Sequence, residues 1–130
     1  MSVRRLQHVS VPRPPGEAAH TRAVDFYRDV LGCEELPKPS TFTRIDTTWF
    51  RWGDDEIHLL ATYEQFPLEH GGAHFCLECD DLEAMRQLLE AAGYPCFENT
   101  PIPNRPRFSS HDPFGNQIEF TVVEGDYRTG

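Results

Sequence analysis

The feature that most limits how this chain can fold is a pattern written twice. Leu6–Pro12 and Ala73–Cys79 are short extended runs in which apolar residues alternate with polar ones, and each sets a histidine, His8 or His74, opposite its apolar residues. A helical stretch follows each run, and then three further extended pieces. The two histidines lie 66 residues apart, and His58 and Glu119, in the last extended piece of each half, lie 61 apart. Such a near-constant offset marks a duplicated unit. The pattern predicts an α+β fold of two βαβββ modules in one chain, module one at about residues 4–64 and module two at about 71–124, within one domain spanning 1–130.

Local signals place the elements. Ala19, Ala23, Phe26, Tyr27, Val30 and Leu31 recur at spacings of three and four, which predicts a helix over Glu17–Leu31 stopped by Gly32. Extended pieces follow at Glu34–Leu36, Thr47–Trp52 and Glu56–Thr62, with an irregular loop over 37–46 and a linker over 63–72. In the second half Asp80 is expected to cap a helix, with Glu83 completing a capping box and Leu82, Met85, Leu89 and Ala92 forming the buried stripe up to Gly93. Pro95–Asn99 is extended, 100–105 is a loop, and Arg107–Val123 reads as a hairpin folded about Asp112-Pro113-Phe114-Gly115-Asn116. Residues 124–130 are expected to form a loose tail.

Bulk properties exclude several classes. At 130 residues the chain suits one domain, and no apolar run is long enough to span a membrane. The Met-Ser-Val-Arg-Arg-Leu start lacks the apolar core of an export signal, so a cytoplasmic location is expected. Twelve Lys and Arg against 21 Asp and Glu give a net charge of −9, which opposes nucleic acids and anionic membranes. Cys33, Cys76, Cys79 and Cys96 are expected to be thiols. The Cys76–Cys79 spacing matches a zinc or redox pair, but residues three apart on a strand point to opposite faces.

The same period of two selects a candidate site. With one helix on one face of each small sheet, His8, His58, His74 and Glu119 all fall on the other face. Any one of these alone reads as an ordinary core or surface residue. Together, three imidazoles and a carboxylate suit Zn, Fe(II), Ni, Co or Mn, and such an ion polarises a carbonyl while Glu119 moves a proton. Ser10 shares the face of His8, and Trp49, with Phe50 and Trp52, offers either a cavity wall or core. Arg105 and Arg107 flank the Glu119 strand, to grip a carboxylate by a bidentate contact or to lie on a solvated edge. His20 and His70 are expected to be solvated, and His111 to be structural.

Several of these stretches resemble a known family. Leu-Gln-His-Val-Ser-Val around His8, Ala-Val-Asp-Phe-Tyr-Arg-Asp-Val-Leu-Gly in the first helix, Ala-His-Phe-Cys-Leu-Glu-Cys-Asp-Asp-Leu around His74, and Asp-Pro-Phe-Gly-Asn-Gln-Ile-Glu are similar to the vicinal oxygen chelate superfamily, the glyoxalase, bleomycin resistance and extradiol dioxygenase group. The resemblance covers nearly the whole chain. It implies cupped mixed sheets, with metal ligands from the first and last strand of each module, which correspond here to His8, His58, His74 and Glu119. Glyoxalase I enzymes carry a carboxylate where this chain has His58, so a two-base isomerase is disfavoured. Fosfomycin thiol transferases use a triad matching His8, His74 and Glu119, but Asn99 and Ser109 stand where their phosphonate-binding Lys and Tyr would be. Bleomycin-binding relatives lack the ligands. The resemblance thus implies a metal-dependent glyoxalase-like enzyme of the lyase or isomerase kind, acting on a small oxygenated organic substrate. Its alternatives are an extradiol-type dioxygenase and a small-molecule-binding or resistance module without turnover. The implied cofactor is a divalent transition metal. Glu119 is the implied proton carrier, Ser10, Trp49, Arg105 and Arg107 the substrate contacts, and a homodimer the working unit, with the site in one chain or shared between two.

Overall fold

In a computed structural model, residues 1–69 and 71–128 are described. The chain divides into two compact units, Met1–Leu68 and Glu69–Gly130. In the first, β1 (His8–Arg13), α1 (Glu17–Tyr27), β2 (Glu34–Leu36), β3 (Thr47–Trp52) and β4 (Asp55–Ala61) form a sheet in the order β1-β4-β3-β2, carrying α1. Strand β1 runs parallel to β4, and the other pairs are antiparallel. The second unit repeats this order. Its β5 (His74–Glu78), α2 (Leu82–Ala91), β6 (Phe97–Glu98), β7 (Arg107–His111) and β8 (Gln117–Thr121) form a sheet β5-β8-β7-β6, with β5 parallel to β8. Each unit is therefore the βαβββ module that the duplicated pattern predicts.

In the first unit the apolar face of the sheet meets α1. Ala23, Phe26, Tyr27, Phe50, Ile57 and Leu59 are fully buried there, and the Tyr27 and Phe50 rings stack at 5.2 Å. Each of the large side chains contributes about 2 kcal/mol by leaving water. Phe50 is thus core, whereas Trp49 points to the other face. The last β1 residue, Arg13, also falls on the helix side and is completely buried. Its Nε donates to Thr48 Oγ1 at 3.1 Å, its Nη1 to the Pro14 carbonyl at 2.8 Å, and its Nη2 pairs with Asp46. Asp46 also accepts from the Gly16 backbone N–H at 2.8 Å, so one ion pair ties the strand end, the helix start and the loop before β3.

Two expectations about the helices need correction. Helix α1 ends at Tyr27, not Leu31, because the Asp29 and Leu31 N–H groups reach back five residues to the Val24 and Phe26 carbonyls. The chain then winds through a wider turn to Gly32, whose φ of 82° breaks it. Helix α2 is capped by Asp81, not Asp80, with its side chain accepting from Ala84 N–H at 3.0 Å. Cys79 N–H bonds to the Thr121 carbonyl, so sheet pairing continues one residue past β5 and moves the cap along. On α2 Leu89 is fully buried and Leu82 and Met85 are half-buried, but Ala92 is exposed beyond the helix end. Arg86 takes part of the covering role. Its guanidinium lies 4.7 Å over the Phe108 ring and pairs with Glu98.

The closing hairpin is held from inside its turn. Asp112 Oδ1 accepts from the N–H groups of Phe114 and Asn116 at 2.8 and 2.9 Å, and Oδ2 accepts from Asn116 Nδ2 at 2.8 Å. Gly115 supplies φ of 90°. All four cysteines are free thiols. Among the described residues no helix is long and apolar enough to cross a membrane. His70 and the last two residues of the expected tail lie outside the described residues.

Candidate metal centre

The two sheets repeat one register. In the first unit His8 pairs with Glu56 and Ser10 with His58, and in the second His74 pairs with Gln117 and Cys76 with Glu119. His8 and His74 are therefore equivalent, as are His58 and Glu119, and all four lie on the sheet face opposite the helix. Ser10 and Cys76 are likewise equivalent, as are Trp49 and Ser109, the β3 and β7 partners of His58 and Glu119.

On the first sheet His58 is the centre of a stack. Its ring lies 3.9 Å from Trp49 at 4° and 4.1 Å from His8 at 19°. A hydrogen-bonded chain runs behind the rings. His8 Nδ1 donates to Gln7 Oε1 at 2.7 Å, Gln7 Nε2 donates to Glu56 Oε2 at 3.2 Å, and His58 Nε2 donates to Glu56 Oε1 at 2.8 Å. Each partner is an acceptor, which fixes the tautomers and leaves His8 Nε2 and His58 Nδ1 with free lone pairs. The His58 bond also holds the Glu56 carboxyl below its ordinary range. Because the rings are nearly parallel, their in-plane lone pairs run side by side and do not converge on one ion. His58 is clamped on both sides, whereas His8 is exposed and is the ring with room to turn.

On the second sheet the centre is Glu119, whose side chain is 4% exposed. His74 Nδ1 donates to the Gly72 carbonyl at 2.8 Å, which leaves Nε2 facing Glu119 Oε1 at 3.1 Å. The Gly72 carbonyl and the Glu119 carboxylate are both acceptors, so each nitrogen of the His74 ring faces an acceptor. Two guanidinium groups also reach Glu119. Arg105 Nη1 donates to Oε2 at 2.7 Å and Arg107 Nη1 to Oε1 at 3.2 Å. Burial pushes the Glu119 carboxyl up, but the bond and charge of Arg105 and the charge of Arg107 outweigh it and hold the group below its usual range. Partial desolvation and then the Glu119 charge raise the neighbouring Cys76 thiol to about 11, so it is no thiolate nucleophile at neutral pH.

The remaining candidates separate by face. Ser109 Oγ donates to Asn99 Oδ1 at 2.8 Å, so these two residues bond to each other. His111 lies on the site face, exposed, against the Phe97 ring at 5.5 Å. His20 is not solvated as expected. It bridges α1 to the sheet through Thr48 Oγ1 at 2.9 Å, with Glu35 at 3.5 Å. The groups that orient the histidines were not anticipated. Glu56 was legible in principle, since it lies two residues from His58 on one strand, whereas Gln7 and the Gly72 carbonyl precede their strands and carry no periodic signal. Imidazole nitrogens and a carboxylate have the donor chemistry of a divalent transition-metal centre. Among the described residues, however, no group of three or more His, Cys, Asp or Glu side chains stands in an arrangement that could hold a metal ion.

Comparison with known proteins agrees with this architecture. Residues 7–120 match the Glyoxalase/Bleomycin resistance protein/Dioxygenase superfamily. A crystal structure of a glyoxalase family protein from Bacillus anthracis is 30% identical with a TM-score of 0.83, the match covering 95% of this chain and 98% of that one. The genomically encoded fosfomycin resistance protein FosX from Listeria monocytogenes shares the fold at 13% identity, with a TM-score of 0.78 over 98% of both chains. A FosX mutant complexed with Mn(II) and 1S,2S-dihydroxypropylphosphonic acid is similar at 12% identity, with a TM-score of 0.76 over 93% of both chains. Among curated proteins no match was found. With the family match spanning most of its length and the βαβββ module present twice, this chain belongs to the glyoxalase, bleomycin resistance protein and dioxygenase superfamily.

Proposed function

We propose that the protein is a metal-dependent enzyme of the lyase or isomerase kind, acting on a small oxygenated organic molecule. One observation carries the reading. His8 and His58 each commit one ring nitrogen to a side-chain acceptor, Gln7 and Glu56, and His74 is oriented by the Gly72 carbonyl so that its Nε2 faces the Glu119 carboxylate. Metal-binding histidines are oriented in this way. The proposed ligands are His8, His58, His74 and Glu119, for Zn, Fe(II), Ni, Co or Mn. To serve as a ligand, His8 would have to turn out of its stack with His58.

A bound divalent ion supplies Lewis acidity toward a carbonyl or hydroxyl oxygen of the substrate. The side chains of the protein do the rest. Glu119, on a stiff strand and held ionised by its arginine neighbours, takes and returns the proton. Trp49 presents a flat apolar wall beside His58, and Ser10 offers a hydroxyl from the strand of His8. Arg107 is fixed by donating Nε and Nη2 to the Thr100 carbonyl at 3.2 and 2.8 Å, and it keeps positive charge next to Glu119. Extradiol-type dioxygenase chemistry is the nearest alternative on the same ligands. A binding module without turnover is favoured by one observation, that both Glu119 oxygens already have guanidinium partners.

We further propose a homodimeric, cytoplasmic protein. Strands β1 and β5, which bear His8 and His74, are each at the edge of their sheet, and exposed edges invite pairing with another chain. Closed two-fold association is the commonest outcome.

Metal analysis of the purified protein, followed by titration with Mn(II), Zn, Ni, Co and Fe(II), tests the reading. Retention or tight binding of one of these ions is expected. A protein that holds none and binds none is not a metalloenzyme. Fe(II)-dependent oxygen uptake with a catechol would move the assignment to the dioxygenases.

A further inference from the structure

The loop between β2 and β3 is fixed at both ends and barely attached between them. At its start Leu36 pairs with Trp49 across the two strands. At its end the Asp46 carboxylate is held by Arg13 and the Gly16 N–H, and its carbonyl accepts from Ala61 N–H at 2.9 Å. Lys38 Nζ donates to the Ile45 carbonyl at 3.2 Å and so closes the base. Inside the loop Phe42 N–H donates to the Pro39 carbonyl at 2.9 Å, which makes a local turn. Of residues 37–46 only Pro39 and Phe42 are half-buried, and the others are exposed.

Phe42 is what ties the tip of the loop to the rest of the first unit. Its ring stands perpendicular to that of Trp49, with centroids 5.6 Å apart and planes at 88°. Trp49 is itself held in place, because Nε1 donates to Thr47 Oγ1 at 3.0 Å and the ring stacks on His58 at 3.9 Å. Trp49 lies on the sheet face opposite α1, so the Phe42 ring that touches it lies on that side of the sheet too. A perpendicular aromatic pair adds a factor of about two to ten to an equilibrium beyond the burial of its rings. A segment with so few other contacts opens far more readily than the unit unfolds.

We propose that residues 37–46 form a lid on this face, with Phe42 as the latch that closes on Trp49. Pro37 and Pro39 stiffen the first half of the loop, so it moves as a flap about its two anchors. Closed, the lid shields Trp49 from water, and lifted, it opens the wall beside His58 to a ligand. The lid involves no metal ion, so it stands or falls apart from the metal-dependent reading.

The test uses the full chain, with trypsin and acrylamide as probes. Within the loop trypsin can cut after Arg44, whereas Pro39 protects Lys38. Nicking after Arg44 is expected to be about two- to tenfold faster in Phe42→Ala than in the wild type, with Phe42→Tyr restoring the slow rate. In a Trp52→Phe background, where Trp49 is the single indole, acrylamide should quench the fluorescence more strongly once Phe42→Ala is added. Cleavage after Arg51, inside β3, is the control and should not change. If either the nicking or the quenching fails to rise, Phe42 is not a latch. If cleavage after Arg51 rises equally, the whole unit has loosened and there is no lid. Hydrogen exchange of the unaltered protein covers a variant that fails to fold. The amides of residues 40–45 are expected to exchange at least about tenfold faster than those of Thr47–Trp52, and equal protection would refute the lid.

Discussion

His74 Nε2 and Glu119 Oε1 stand 3.1 Å apart across the parallel pair β5 and β8, with the far nitrogen of His74 already donating to the Gly72 carbonyl. The pair thus sets a ring nitrogen against a carboxylate oxygen, and the contact with the Gly72 backbone orients the ring. Glu119 is buried mid-strand, so this relationship does not depend on a loop.

The first prediction follows from that pair. His74→Ala and Glu119→Ala are each expected to weaken metal binding by about 100-fold or more while leaving the fold intact, since each removes one donor from a strand whose pairing is made by backbone groups. Calorimetric titration with Mn(II) and circular dichroism measure the two effects. Unchanged affinity in both variants removes them from the metal centre.

A second prediction concerns assembly. If His8 and His58 of one chain serve with His74 and Glu119 of another, mixing His8→Ala with Glu119→Ala creates dimers in which half the sites have every ligand. Metal binding should then reappear at about a quarter of the wild-type stoichiometry after full subunit exchange of an equimolar mixture, since half of the dimers are mixed and each has one whole site. Sedimentation as a monomer, or exchange without recovery, places each site within a single chain.

The hairpin turn gives a stability prediction. Asp112 is almost fully buried and its carboxylate takes three hydrogen bonds from Phe114 and Asn116. Asp112→Ala leaves those donors unmatched and is expected to cost about 3 kcal/mol in urea unfolding. Because the turn sets the register of β7 against β8, metal affinity at Glu119 should drop with it. A loss below about 0.5 kcal/mol would show that water replaces the carboxylate at little cost.

The Arg13–Asp46 pair predicts an acid effect. Its bond to Arg13 lowers the Asp46 carboxyl from the ordinary 3.8, against a smaller upward push from burial. A group whose pKa is depressed by folding stabilises the fold above its unfolded value and loses that contribution as pH falls through its folded value. The wild type should therefore exceed Asp46→Asn by about 1 kcal/mol at neutral pH, a modest figure because Asp46 is half-exposed. The gap should close below about pH 4, as thermal melts at several pH values would reveal. A gap independent of pH would assign the effect to packing.

Alternation along the strands was enough to identify two repeated modules, the buried apolar residues Ile57 and Leu59 of β4 and Ile118 and Phe120 of β8, and, within each module, the sheet face that bears His8 and His58 or His74 and Glu119. A strand has a period of two and leaves a side chain only two faces, so local order determines parity. Register followed the same logic, since the hydrophobic sets of paired strands must land on one side. What the side chains do on each of these faces was a tertiary decision. The clamp on His58 needs Trp49 brought from β3 and His8 from β1, and its orientation needs Glu56 and Gln7. The arginines were visible as neighbours of the Glu119 strand, but Arg105 lies in a loop where no period operates, and its hold on Glu119 depends on ties between residues 104–106 and 121–127. Asp80 and Asp81 were equivalent as caps by composition. The choice fell to Asp81 because a long-range hydrogen bond from Cys79 to Thr121 carries the strand one residue further. Periodic backbone geometry is written locally, whereas the pairing of charges and rings depends on which distant segments the fold brings together.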